Sequence, residues 1–223
     1  MIGYVRQIVK SFTFSLMRAR SFTILLLGLL CVGCAGPMPV VRQWPVQTAK
    51  ERQQRLRLLR NWRVTGSLVV RSHDRKQFGR FVWTFRDNRH YQWDFMAPFA
   101  LRHARLVVTP RQATLRVTGE PERHAASADA LLYSVFGQPW PIAALASWAK
   151  AMPLPRLPAT QTVNAKHYLH TLQQAGWLVN YQQYQWGIGV ALPKKLTMSN
   201  GQLRMDVTFD QWQPLRRPVG AGG

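Results

Sequence analysis

Phe81-Val82-Trp83-Thr84-Phe85, a turn at Asp87-Asn88, and Tyr91-Gln92-Trp93-Asp94-Phe95 decide how this chain folds. In both runs aromatic residues take alternate positions, the period of a strand with one face turned inward. Asp-Asn between two such runs supplies a hairpin turn. Six aromatic side chains thus share one side of a single hairpin. That is more apolar surface than a thin sandwich has to cover, and it points to a deep core or a cavity.

The same period recurs on both sides of the hairpin. Upstream, Val64 and residues 68–70 form a strand candidate, followed by a polar turn at 72–76 and a second strand over 78–85. Downstream, strands are expected at 105–108 and 113–118 around the Pro110-Arg111 turn, with 119–122 closing the group. After Asn164 strands return at 168–173 and 176–181, then through Trp186, Ile188 and Val190. Leu192-Pro193 and residues 196–198 lead to Ser199-Asn200-Gly201, a strong hairpin signal. Leu203, Met205, Val207 and Phe209 then alternate with Arg204, Asp206, Thr208 and Asp210, one face buried and the other wet, and Trp212 closes the domain.

A helical period appears in two places. Over 47–62, Leu56, Leu59 and Trp62 fall three apart with Arg52, Arg55 and Arg57 elsewhere, an amphipathic helix. Between the strand groups, Asp129 is expected to cap a helix striped by Leu131, Leu132, Val135 and Phe136 and stopped at Gly137. Pro141 suits the first turn of another, carrying Ile142, Leu145 and Trp148, which the Pro-rich run 152–158 ends. Strands, helices and strands again, in hairpin spacing, describe an α+β fold. A long antiparallel sheet curls, and amphipathic helices pack on or into it to make an apolar container. The turn Met96-Ala97-Pro98-Phe99-Ala100-Leu101 is unusually apolar for a loop, so Phe99 either folds back into the core or stays exposed to touch something apolar.

At the N-terminus, Arg18 and Arg20, the short apolar run 21–30 and the small-residue end Cys31-Val32-Gly33-Cys34-Ala35 are the parts of a secretory signal. The run is short for a membrane-spanning helix. Met17 is an alternative start, and a plain signal peptide or short anchor helix is the competing reading. The expected layout is a leader over 1–33, a tether over 34–46 rich in Gly and Pro, a folded domain over 47–213 and a flexible tail over 214–223. Cys31 and Cys34 form a CxxC pair without the βαβ context of a redox site, and no cysteine comes after them, so neither a disulfide nor a cysteine metal site supports the fold.

The chain carries 30 Lys and Arg against 9 Asp and Glu, a formal net charge of +21. Such a surface favours polyanions. The arginines are spread from Arg42 to Arg217 without a nucleic-acid-binding module, so an anionic membrane face is the nearer partner and no nucleic acid is expected. A basic surface selected for solubility is the plain alternative. No acid/base pair of carboxylates stands out, and GxSxG, phosphate-loop and HExxH motifs are absent from the sequence. His167 and His170 are read as surface residues rather than metal ligands. No enzyme activity, cofactor or metal is expected.

The residues together resemble the LolB family of outer-membrane lipoproteins. The matching pieces are Trp62-Arg63-Val64-Thr65-Gly66-Ser67-Leu68, Phe81-Val82-Trp83, Ala97-Pro98-Phe99-Ala100, Leu145-Ala146-Ser147-Trp148 with Pro153, Gly176-Trp177-Leu178-Val179-Asn180-Tyr181 with Tyr184, Leu192-Pro193, and Trp212. Val32-Gly33-Cys34 resembles a lipobox, with Cys31 where Leu is usual; the resemblance makes Cys34 the lipidated residue, and Ala35 fits outer-membrane sorting. The resemblance implies an incomplete antiparallel barrel with helices over its open side and a cavity for acyl chains. It implies a receptor that takes acylated lipoprotein cargo from the periplasmic carrier LolA and inserts it into outer-membrane lipid, acting as a monomer. It also implies an insertion loop at Pro98, Phe99 and Ala100, where the family's usual Pro-Leu-Gly has become Pro-Phe-Ala. A glycine that the family carries after Trp148 is replaced by Ala149-Lys150-Ala151. Candidate cavity residues are Phe81, Trp83, Phe85, Tyr91, Trp93, Phe95, Leu145, Trp148, Trp177 and Tyr181. Other classes remain open: a lipid-anchored module binding another apolar envelope lipid, or a structural lipoprotein whose aromatics fill its interior.

Overall fold

Eleven strands of the described residues form one antiparallel sheet: β1 (Trp62–Ser72), β2 (Arg75–Asp87), β3 (His90–Met96), β4 (His103–Val108), β5 (Ala113–Val117), β6 (Arg123–Ala125), β7 (Ala159–Val163), β8 (Leu169–Gln174), β9 (Trp177–Gly187), β10 (Val190–Ser199) and β11 (Leu203–Pro214). The computed structural model describes residues 44–45, 47–72, 75–87, 89–97, 102–137, 140 and 142–215. Expectations for the leader, Cys34 and most of the tether, Asn88, Pro98, Phe99, Ala100, Pro141 and the tail beyond 215 lie outside these residues. The chain divides into two units, Met1–Pro45 and Val46–Gly223, and all eleven strands belong to the second.

The sheet order is β6-β5-β4-β3-β2-β1-β11-β10-β9-β8-β7. Every neighbour is also a sequence neighbour except the pair β1–β11, which joins an N-terminal meander to a C-terminal one. Edge strands β6 and β7 do not pair with each other, so the barrel is incomplete. The chain between those edges is helical: α2 (Ala128–Phe136) and α3 (Ile142–Trp148) come after α1 (Ala49–Leu58), which precedes the sheet. That segment packs on the sheet instead of extending it: α2 lies against β5 and β6.

Register explains the aromatic hairpin. Phe81 pairs with Phe95, Trp83 with Trp93 and Phe85 with Tyr91, so all six rings lie on one face. On β11, Leu203, Met205, Val207 and Phe209 are buried while Arg204 and Asp210 are exposed. The β1–β11 register shifts between Thr65 and Gly66, where β11 carries Asp210 as an extra residue and Trp212 regains the inner face opposite Val64. Gly66 is required there: an added Cβ would lie 2.1 Å from the Thr208 carbonyl oxygen and 2.7 Å from Phe81 Cζ.

Several elements differ from expectation. Helix α1 ends at Leu58 and does not reach Trp62. It starts with a capping box in which the Glu51 N–H donates to Thr48 Oγ1 at 3.2 Å and the Thr48 N–H to the Glu51 carboxylate at 3.0 Å. It ends because Trp62 is committed to β1, opposite Phe85 and Pro214. Ser127, not Asp129, caps α2, accepting from the Ala130 N–H at 3.1 Å; Asp129 sits in the first turn. Gly137 ends α2 with φ 69°. Residues 119–122 form a turn and not a strand, β6 comes after them, and β7 precedes Asn164. Pro214, expected in the tail, pairs with Trp62 at the end of β11. Pro193 lies within β10, which a proline tolerates because β10 meets β11 only from Lys195 onward. Two-residue turns at Ala175-Gly176 and Ile188-Gly189, all four with positive φ, set the registers of β8–β9 and β9–β10.

Candidate functional site

An apolar cavity lies between the inner face of the sheet and α3. Leu68 of β1, Phe81 and Trp83 of β2 and Trp93 of β3 form one part of its wall. Met205, Val207 and Phe209 of β11 with Leu196 and Met198 of β10 form another, and Leu145 of α3 and Ala149 just after it close the third. The wall exposes no nitrogen or oxygen to the cavity, whose volume is about 30 Å³. The space between α3 and the sheet is narrow, bounded by the side chains of both.

Four of the sequence-derived cavity residues, Phe81, Trp83, Trp93 and Leu145, stand together in this wall. The other six are placed elsewhere. Phe85 stacks on Trp62, centroids 5.0 Å apart, and continues to Tyr91 at 6.1 Å. The Phe95 ring covers Gly79, where a Cβ would meet it at 2.3 Å. Trp148 and Tyr181 are tied to each other, the Tyr181 hydroxyl donating to the Trp148 carbonyl at 3.0 Å, and Trp177 is buried in the core. The wall residues that were not anticipated come mostly from β10 and β11. The alternation on β11 marked Met205, Val207 and Phe209 as inward-facing, but nothing in a period separates lining a space from filling one.

The C-terminal end of α3 is fixed by a hydrogen-bond cluster. Trp148 Nε1 donates to Gln174 Oε1 at 3.0 Å, which also accepts from the Leu154 N–H at 2.8 Å. Gln174 Nε2 donates in turn to the Leu154 and Leu157 carbonyls at 3.0 and 3.1 Å. One buried amide on β8 therefore holds both the helix end and the Pro-rich loop beyond it. Lys150 Nζ donates to the Leu59 carbonyl at 3.2 Å at the end of α1, and burial lowers its pKa. Helix α1 itself docks on the β9–β10 end. Arg52 Nε donates to the Ala191 carbonyl at 3.1 Å, with its guanidinium over the Tyr168 and Tyr184 rings at 5.1 and 5.4 Å. Burial lowers the Arg52 pKa, while it pushes those of Tyr181 and Tyr184 up.

The neck of the 97–102 loop is closed by the Ala97 N–H donating to the Arg102 carbonyl at 3.0 Å, beside the Met96–His103 pair. Met96 is exposed there. Away from the cavity ion pairs link strands, Arg71–Asp206, Arg80–Asp210 and Arg105–Asp94, and Arg116 of β5 pairs with Glu122 in the turn before β6. Asp94 also accepts from Gln92 and His103; burial raises its pKa, but these donors and Arg105 hold it below the ordinary 3.8. His167 sits in a turn with φ 57° and His170 on β8, both exposed. Among the described residues no three His, Cys, Asp or Glu side chains gather where they could hold a metal.

Among known families, the model described as outer membrane lipoprotein LolB matches residues 60–212. The outer-membrane lipoprotein LolB of Nitrosococcus oceani is 30% identical over 195 residues, covering 86% of this chain and 96% of that protein. The protein of the same name from Cellvibrio japonicus is 28% identical, covering 82% and 90%. Among solved structures, a LolA superfamily protein from Nitrosomonas europaea overlays with a TM-score of 0.46 at 8% identity, covering 77% of this chain and 96% of that one.

Proposed function

The chain belongs to the LolB family of outer membrane lipoproteins, and on that premise we propose that it is an outer-membrane receptor that accepts lipoproteins by their acyl chains and inserts them into the membrane. The observation that carries this reading is the wholly apolar cavity between α3 and the inner face of an unclosed sheet. Burial of hydrocarbon is worth about 0.8 kcal/mol per methylene, so a carbon-lined interior holds acylated cargo without any polar anchor.

A cavity of about 30 Å³ takes in an acyl chain only after it widens. The Gln174 cluster fixes the Trp148 end of α3, so widening is a swing of α2 and α3 about that end. Cargo passes from the periplasmic carrier LolA without fuel if affinity rises along the route. Cys34 anchors the receptor by its lipid, facing the periplasm, and Pro98, Phe99 and Ala100 present the apolar tip that enters the bilayer at release. Phe99→Glu is expected to capture cargo normally and to lose insertion; equal insertion by the variant would contradict the role of the loop.

The test of the reading is a transfer experiment. Carrier loaded with an acylated lipoprotein is mixed with this protein, and the cargo is located by pull-down of each partner. Cargo on this protein supports the receptor; cargo retained by a competent carrier refutes it. The small volume of the cavity favours one second reading, a structural envelope lipoprotein with a filled interior, which takes up no acylated ligand in the same experiment.

A further inference from the structure

Trp83 and Trp93 stand in the cavity wall with their rings stacked, centroids 5.5 Å apart and planes 18° apart. The Nε1 of each is buried without a hydrogen-bond partner. An indole N–H can only donate, and a buried one ordinarily finds an acceptor. Two other indoles do so here: Trp148 donates to Gln174 at 3.0 Å and Trp212 to the Pro193 carbonyl at 3.4 Å. Trp62, edge-on to Trp83 at 4.9 Å, also has a buried Nε1 without an acceptor.

The rest of the wall is aliphatic, aromatic and thioether, so no other side chain in it offers these N–H groups an acceptor. An acyl chain is methylenes except at its head, where an ester or amide carbonyl accepts hydrogen bonds. We propose that Trp83 and Trp93 form a carbonyl subsite, whose indole N–H groups receive the ester or amide oxygens at the heads of bound acyl chains. This rests on the reading of the cavity as an acyl-chain site. It adds what a carbon-lined cavity alone lacks: discrimination of acyl from alkyl chains, and a fixed depth for the chain head. Neither nitrogen reaches the cavity surface as the structure stands, so the subsite becomes available as α3 moves off the sheet.

The full chain in nanodiscs is titrated with dioctanoylglycerol and with its dioctyl diether analogue, corrected for partition into empty nanodiscs, while the indole ¹H–¹⁵N resonances are followed. The ester is expected to bind about tenfold more tightly, as two modest hydrogen bonds allow. The Trp83 and Trp93 N–H resonances are expected to move downfield with the ester and not with the ether. Trp83→Phe and Trp93→Phe should each reduce the ester preference about threefold and keep ether affinity. Equal binding of ester and ether without an indole shift overturns the subsite and leaves acyl binding standing. Binding of neither overturns acyl binding itself. If the Phe variants do not fold, the resonances of the unaltered protein decide.

Discussion

Gly66 shows how closely the sheet is fitted around its inner aromatics. Its missing side chain makes room for Phe81 beneath the β11 bulge, so Gly66→Ala should cost about 1–3 kcal/mol by overpacking, read as a lower urea midpoint at unchanged slope. Asp94 links stability to acid. Its folded pKa lies below 3.8, so its contribution is complete above that value and is lost as pH falls through the lower folded value. Asp94→Asn should therefore melt lower than the parent at about pH 7 and converge with it as the pH falls below the folded value. A difference that stays constant across this range would mean that the ion pair is not the cause.

At the level of elements, Gln174 is the joint on which the cover turns. Gln174→Leu keeps the volume but strips partners from Trp148 Nε1 and from the Leu154 N–H, a loss of about 2–4 kcal/mol in chemical denaturation. Hydrogen exchange should quicken first in α3 and the 152–158 loop; uniform quickening across the sheet would argue against a local joint. Elements with a buried face were legible in the sequence: the aromatic hairpin and β11 declare themselves by alternation. Those without one were not. Every residue of β7 is exposed, and β6 spans only Arg123–Ala125, so neither edge has an apolar period to find. The end of α1 was hidden by an accident of spacing. Trp62 continues the helical stripe of Leu56 and Leu59 yet belongs to the strand, and either conformation would bury it.

At the largest scale, the Val46–Gly223 unit is two meanders joined along β1–β11, with α2 and α3 in the segment that links their free edges. The container was legible in the sequence, because six aromatics on one hairpin exceed what a thin core needs. Its contents were not: of ten candidate side chains four line the cavity, and whether a ring lines or fills depends on neighbours such as Gly79 and Gln174 that carry no period. The size of the space depends on how far α3 stands off the sheet, a tertiary distance with no local signature. The central claim, that acyl chains enter beneath α3, is tested most directly by cargo whose acyl chain carries a diazirine, transferred to this protein, irradiated and mapped by mass spectrometry. Adducts on Phe81, Leu145 and Phe209 are the predicted result; adducts confined to exposed residues such as Leu58 and Phe78, with the interior untouched, would contradict it.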